Sequence, residues 1–188
     1  MAKNDIGNLK FVENMGFFMS NFLNRSEADF DRAELLAYET LIKSKIAYPP
    51  VVATEIAKRI GRKVEITRFK KEYRYEIAGL IDPDTGIIVV NADDPISRRN
   101  FTVAHEIGHI VMGHDVNVPG YGVLYRNSKK QKYKSPMEQE ADCFAANLLV
   151  PTSTLREYLE NYPGVPNLLL ARLFEVSEEV IRWRRERI

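Results

Sequence analysis

Three features of the chain predict an α+β fold. Apolar residues recur at helical spacing near both ends of the sequence. Short apolar or alternating runs, bounded by turn residues, sit together before the middle. Two further helices, one with clear start signals, follow those runs. The chain has 188 residues, 45% of them hydrophobic, enough to build a proper core in one domain with an appendage. The expected divisions are a helical arm over residues 1–48, a central domain over 49–162 and a helical cap over 163–188.

Residues 1–25 carry Phe11, Phe17, Phe18, Met19 and Phe22, many aromatics for a disordered tail. The arm is therefore expected to pack on its own domain, or on a second copy as a homodimer. Glu13, Asn14 and Asn21 interrupt it; it is too short to span a bilayer and no small-residue cleavage site follows. A cytoplasmic protein with no membrane partner is expected. A helix should start at Ser26 and run through Lys45, with Phe30, Ala33, Leu36, Ala37, Leu41 and Ile42 on its apolar side. Tyr48-Pro49-Pro50 breaks it, and a second helix over 51–60 stops at Gly61.

Residues 63–69 alternate as a strand, and 73–81 read less cleanly as another. Asp82-Pro83-Asp84-Thr85-Gly86 is a turn, and Ile87-Ile88-Val89-Val90 is a buried strand. The three are expected to form a small antiparallel meander. One of its edges could hold a substrate backbone by strand addition.

The next helix, over 96–113, carries the chemistry. Val103, Ala104, Ile107, Ile110 and Val111 suit a buried helix, and Gly108 leaves room for close approach. Within it, His105-Glu106-Ile107-Gly108-His109 is an H-E-x-x-H pattern. Residues four apart lie on one helix face, so His105 and His109 can aim two ring nitrogens at one ion. Glu106 lies about 100° round from His105, beside the ion and placed to act as a base. The chain has three histidines, and the third, His114, lies just beyond.

A loop of roughly twenty residues (115–134) follows, and a loop this long in a compact domain is often functional. His114, Tyr121, Tyr125 and Tyr133 are candidates to stabilise an oxyanion or touch substrate, and the sequence does not choose among them. Ser135 then reads as an N-cap with Pro136 at the first helical position. Glu138 can supply a third ligand, and Asp142, one turn on, can hydrogen-bond the far nitrogen of a ligating histidine. The bland alternative is that Glu138 only caps its helix; Glu140 is the competing ligand. Two nitrogens, one carboxylate oxygen and an open position suit Zn2+, and Mn2+ or Fe2+ can use the same donors. The single cysteine, Cys143, excludes an internal disulfide and reads as a buried thiol.

After a helix over 152–162, residues 167–187 read as a helix-turn-helix. Ile181 and Trp183 lie among its arginines, and Glu178, Glu179 and Glu186 dilute its charge. The whole chain, with 27 basic and 26 acidic residues, is nearly neutral. Packing on the protein is therefore expected rather than direct DNA binding, with Arg182, Arg184, Arg185 and Arg187 solvated.

Two blocks together resemble a known family. Arg98-Arg99-Asn100-Phe101-Thr102-Val103-Ala104-His105-Glu106-Ile107-Gly108-His109, followed by Glu138-Gln139-Glu140-Ala141-Asp142-Cys143-Phe144-Ala145-Ala146-Asn147-Leu148-Leu149-Val150-Pro151, is similar to the ImmA/IrrE metallo-endopeptidases. The likeness extends more loosely from Val51 to the C-terminus; Val150 stands where that family usually has Met, a packing exchange. The resemblance implies a gluzincin-like zinc site with His105, His109 and Glu138 as ligands and Glu106 as base. It also implies a protein substrate: a helix-turn-helix repressor, cut to release stress-response or mobile-element genes. The alternative is a non-proteolytic metal-binding regulator, or toxin–antitoxin module, that sequesters such a repressor.

Overall fold

The computed structural model describes residues 27–46, 48–82, 84–114, 123–125 and 134–188, the last strand by its backbone alone. The arm up to residue 26, with its proposed packing or dimer contact, lies outside the described residues, as do Tyr121 and Tyr133.

Helix α1 (Phe30–Ser44) starts later than Ser26, because the side chain of Asp29 accepts from the Arg32 backbone N–H and caps it. Its buried stripe is Ala33, Ala37, Thr40 and Ser44, while Phe30 and Ile42 are exposed. Small residues win this face because α1 lies close along a later helix, α4 (Pro136–Leu149). Helix α2 (Ala53–Arg59) is stitched to the chain that follows by Asn100, which accepts from Ala53 N–H and donates to the Val51 carbonyl, both at 2.8 Å.

Four strands form one sheet: β1 (Val64–Thr67), β2 (Ile77–Ile81), β3 (Ile88–Asn91) and β4 (Val123–Tyr125), in the order β1-β3-β2-β4. The expected meander is corrected here. β2 and β3 form the antiparallel hairpin, but β1 pairs parallel to β3, with Val64 opposite Ile88. The turns over 70–77 carry the chain across, so that apolar β3 takes the inner position and the largely exposed β1 becomes an edge. The fourth strand comes from the 115–134 loop and pairs antiparallel to β2 at the other edge.

Helix α3 (Ile96–Met112) crosses this sheet and is buried almost all round from Thr102 to His109. It ends at Gly113, which adopts φ 72, the left-handed conformation that glycine accepts at a helix C-terminus. Its closing carbonyl on Met112 accepts from Arg32 at 3.1 Å. Two glycines set how near its neighbours come. A Cβ on Gly79 of β2 would stand 2.4 Å from Thr102 Cγ2 and 2.9 Å from the Val89 carbonyl oxygen. A Cβ on Gly108 would stand 3.1 Å from Phe144 and 3.3 Å from the backbone of Ala141, both on helix α4 (Pro136–Leu149). Gly108→Val must push α3 and α4 apart. It is expected to cost about 1–3 kcal/mol of stability, read as a lowered thermal midpoint.

Helices α5 (Thr152–Asn161), α6 (Asn167–Phe174) and α7 (Glu178–Arg185) complete the described chain. Leu155, Leu170, Phe174 and Ile181 join the same apolar cluster as Ile107 and Phe144. Two of the arginines expected to be solvated are not: Arg185 is half-buried and donates to the Val165 carbonyl, and Arg184 departs furthest. It is 1% exposed; its Nε donates to the Val150 carbonyl and its Nη2 to Thr152 Oγ1, at 3.0 and 2.6 Å. Those bonds satisfy the groups where α4 hands over to α5, so a guanidinium is buried where a pattern of arginines suggested only solvent. Among the described residues, no helix is long and apolar enough to cross a membrane.

Candidate metal centre

The centre is built by two helices that touch through Gly108. On α3, His105, Glu106 and His109 are each 0% exposed. On α4, the Ser135 side chain accepts the Glu138 backbone N–H at 3.2 Å and Pro136 occupies the first turn, as the local sequence requires. The side chain of Glu138 is thus left to face α3. Its Oε2 lies 3.3 Å from His105 Nε2 and its Oε1 lies 3.3 Å from His109 Nε2. The two Nε2 atoms are 3.0 Å apart. Around a tetrahedral ion with bonds of about 2.0–2.1 Å, donor atoms stand about 3.3 Å from one another. The spacing fits such an ion.

The chemistry of the donors fits it as well. His105 Nδ1 is 2.9 Å from Asp142 Oδ1; a carboxylate only accepts, so the ring hydrogen is on Nδ1 and Nε2 of the neutral ring is a bare lone pair. Glu138 Oε1 is buried and has no hydrogen-bond partner among the described residues. Electron pairs therefore converge on one point and need positive charge there. In the protein alone a proton supplies it. Burial disfavours the imidazolium, but hydrogen bonds to Asp142 and Glu138 outweigh burial and raise His105 to about 10. Burial lowers His109 to about 4. Burial also opposes the Glu138 carboxylate, yet the His105 and His109 rings beside it, each 3.3 Å away, hold it well below the usual carboxylate range. Glu106 differs: both of its oxygens are buried without a hydrogen-bond partner among the described residues, and burial pushes it up to about 8.

A family model described as the IrrE N-terminal-like domain, a peptidase family, matches residues 57–185. The chain belongs to this family. Over 102 residues it is 31% identical to the radiation response metalloprotease IrrE of Deinococcus radiodurans. That match takes in 53% of the chain and 30% of the relative, so the chain spans under a third of the relative's length. A Mycobacterium tuberculosis transcriptional regulator of known structure shares the fold, with a TM-score of 0.59 at 17% identity over 93% of this chain and 60% of that one.

Outside the three donors, the IrrE-like chain holds a second ring of contacts. Asp142, expected behind a histidine, meets His105, and Lys134 forms an ion pair with its other oxygen. His114 does not face an opening. It is 5% exposed, with Nδ1 2.9 Å from His109 Nδ1 and Nε2 2.8 Å from Glu140 Oε2. With both ring nitrogens engaged, it has none to offer an oxyanion. Glu140, the competing ligand, points away from the convergence point and accepts the Asp29 backbone N–H at 2.7 Å. Sequence reasoning missed this His114–Glu140 pair. The available signal was an acid within a run of apolar helix, at Glu140, where nothing but a buried partner could hold it. Of the tyrosines, Tyr121 and Tyr133 lie outside the described residues, and Tyr125 is placed on β4 by its backbone only. Cys143 is a buried thiol that burial pushes up to about 11, so it is chemically quiet.

A cation at this place would compete with the proton, and the sign of the pH dependence follows. A metal ligand must be neutral imidazole, and His105 in the metal-free protein keeps its proton up to about 10. Loading therefore displaces a proton at neutral pH. Apparent zinc affinity is expected to rise about tenfold per pH unit between roughly pH 6 and 8, measured by competition with a chromophoric chelator. A flat profile would exclude this account.

Proposed function

We propose that this chain is a zinc-dependent endopeptidase whose substrate is a protein. His105, His109 and Glu138 would hold the ion, Glu106 would act as the base and Asp142 would orient His105. The observation that carries the reading is Glu106: a buried carboxyl group with no hydrogen-bond partner among the described residues, directly beside three converging donors. A solvation cost of that kind is kept where the group has work to do.

When bound, the ion would serve as a Lewis acid that polarises a scissile carbonyl and activates water. Glu106 takes the proton from the attacking water and delivers it to the amide nitrogen as the C–N bond breaks. Its carboxyl group, raised to about 8 by burial, stands close to the working pH in the way a general base requires, and a neighbouring cation favours its ionised form. Asp142 holds the His105 ring so that Nε2 stays aimed inward. Zn2+ is favoured by the nitrogen–oxygen donor set, and Mn2+ or Fe2+ can use the same atoms.

The substrate reading is a helix-turn-helix repressor, cleaved to release stress-response or mobile-element genes. It draws support from a relative named for its radiation response and from the sequence resemblance. A second reading, a metal-binding regulator that sequesters a repressor without cutting it, draws on the likeness of fold to a transcriptional regulator. One experiment separates them. The protein is incubated with Zn2+ and the repressor encoded nearest to its gene. A fragment that disappears with a chelator supports the endopeptidase; a stable complex with intact repressor supports the second reading and rejects the first.

A further inference from the structure

We propose that His114 and Glu140 are positioning residues that hold His109 in the tautomer with a bare Nε2. The inference rests on the reading of His109 as a metal ligand and extends it to two residues outside the donor set.

The argument is one of donors and acceptors. The carboxylate of Glu140 offers only acceptors, so the hydrogen between His114 Nε2 and Glu140 Oε2, 2.8 Å apart, belongs to the histidine. With His114 taken as the neutral ring, that hydrogen is the only one it carries, and its Nδ1 is left as an acceptor. The atom facing it at 2.9 Å is His109 Nδ1, which must therefore donate. His109 in turn has no hydrogen on Nε2, the atom 3.0 Å from His105 Nε2 and 3.3 Å from Glu138 Oε1. Free imidazole side chains favour hydrogen on Nε2, so this tautomer has to be imposed. His105 receives the same instruction directly from Asp142. His109 receives it through a second ring, and both carboxylates come from α4, the helix that also carries Glu138.

The relay is anchored at its far end. Glu140 is 1% exposed, and its Oε1 accepts the backbone N–H of Asp29, the residue that caps α1. A carboxyl group buried for stability alone would be a poor choice in an apolar helix face; here it dictates which nitrogen of a ring two contacts away is bare.

The test reads the tautomer without any metal. In metal-free protein labelled with 15N-histidine, the ring spectrum of His109 is expected to show hydrogen on Nδ1. His114→Leu should abolish that signature. His114→Asn, whose side-chain oxygen can stand where Nδ1 stood, should keep it. Zinc affinity by chelator competition is expected to fall on the order of 10–100-fold in His114→Leu, and to stay close to the parent value in His114→Asn. Hydrogen on His109 Nε2 in the parent, or parental zinc affinity in the Leu variant, overturns the proposal. If the Leu variant does not fold, His114→Phe, which also lacks an acceptor, carries the same comparison, and an unchanged tautomer and affinity there overturn it equally. A parent protein that binds no zinc would defeat the metal reading of the site, while the tautomer would still decide the relay.

Discussion

Glu106→Gln is expected to bind zinc as the parent does and to lose turnover by roughly 10²–10⁴-fold, the range assigned to a general acid–base group. The substitution keeps the shape of the side chain and removes only its capacity to take a proton. It also removes a buried carboxyl group that burial, helped by the Glu138 charge, holds at about 8, so the folded protein should be no less stable than the parent near neutral pH. The decisive pair of measurements is zinc affinity and the rate of substrate cleavage on the same preparation. Undiminished cleavage would remove Glu106 from the chemistry. Loss of zinc together with activity would instead place it among the ligands.

Glu138→Ala is expected to act at the opposite point. Zinc affinity should fall by more than the ~100-fold that a change behind the ligands produces, because a donor atom itself is lost. His105 and His109 would remain, still four residues apart on α3, but two imidazoles cannot close the set that a catalytic zinc uses. A chelator titration reads the result directly. An affinity within tenfold of the parent would leave Glu138 as a helix residue near the site and reopen the choice of third donor.

The parts of the fold that were legible in the sequence are those set by local rules. The start of α4 depends on a serine, a proline and the amide three residues on, all adjacent, and the Ser135 cap stands where it was read. The inward aim of residues 105 and 109 depends only on helical period, and their rings do meet the side chain of residue 138. What was not legible depends on distant partners. β1 finds β3 rather than β2 because of how the chain turns over 70–77, which alternation does not encode. The buried face of α1 is chosen by how near α4 approaches, so Ala33 and Ala37 outrank Phe30 and Ile42. Arg184 is buried because a carbonyl at Val150 awaits it, 34 residues away in the chain. His114 follows a left-handed glycine, and beyond such a turn the spacing of a helix says nothing about direction.

Two glycines, Gly79 on β2 and Gly108 within α3, have a consequence for any attempt to retune this centre. Gly79 leaves just room for the Thr102 side chain of α3, and Gly108 lets α3 close onto the Phe144 ring and the Ala141 backbone of α4, with no space to spare at either contact. The helix therefore behaves as a beam gripped in a vice, and its two imidazoles cannot drift to suit a larger or smaller ion. A change of metal preference in this scaffold would have to come from exchanging a donor atom, since sliding the helix would first have to break open the contacts that locate it.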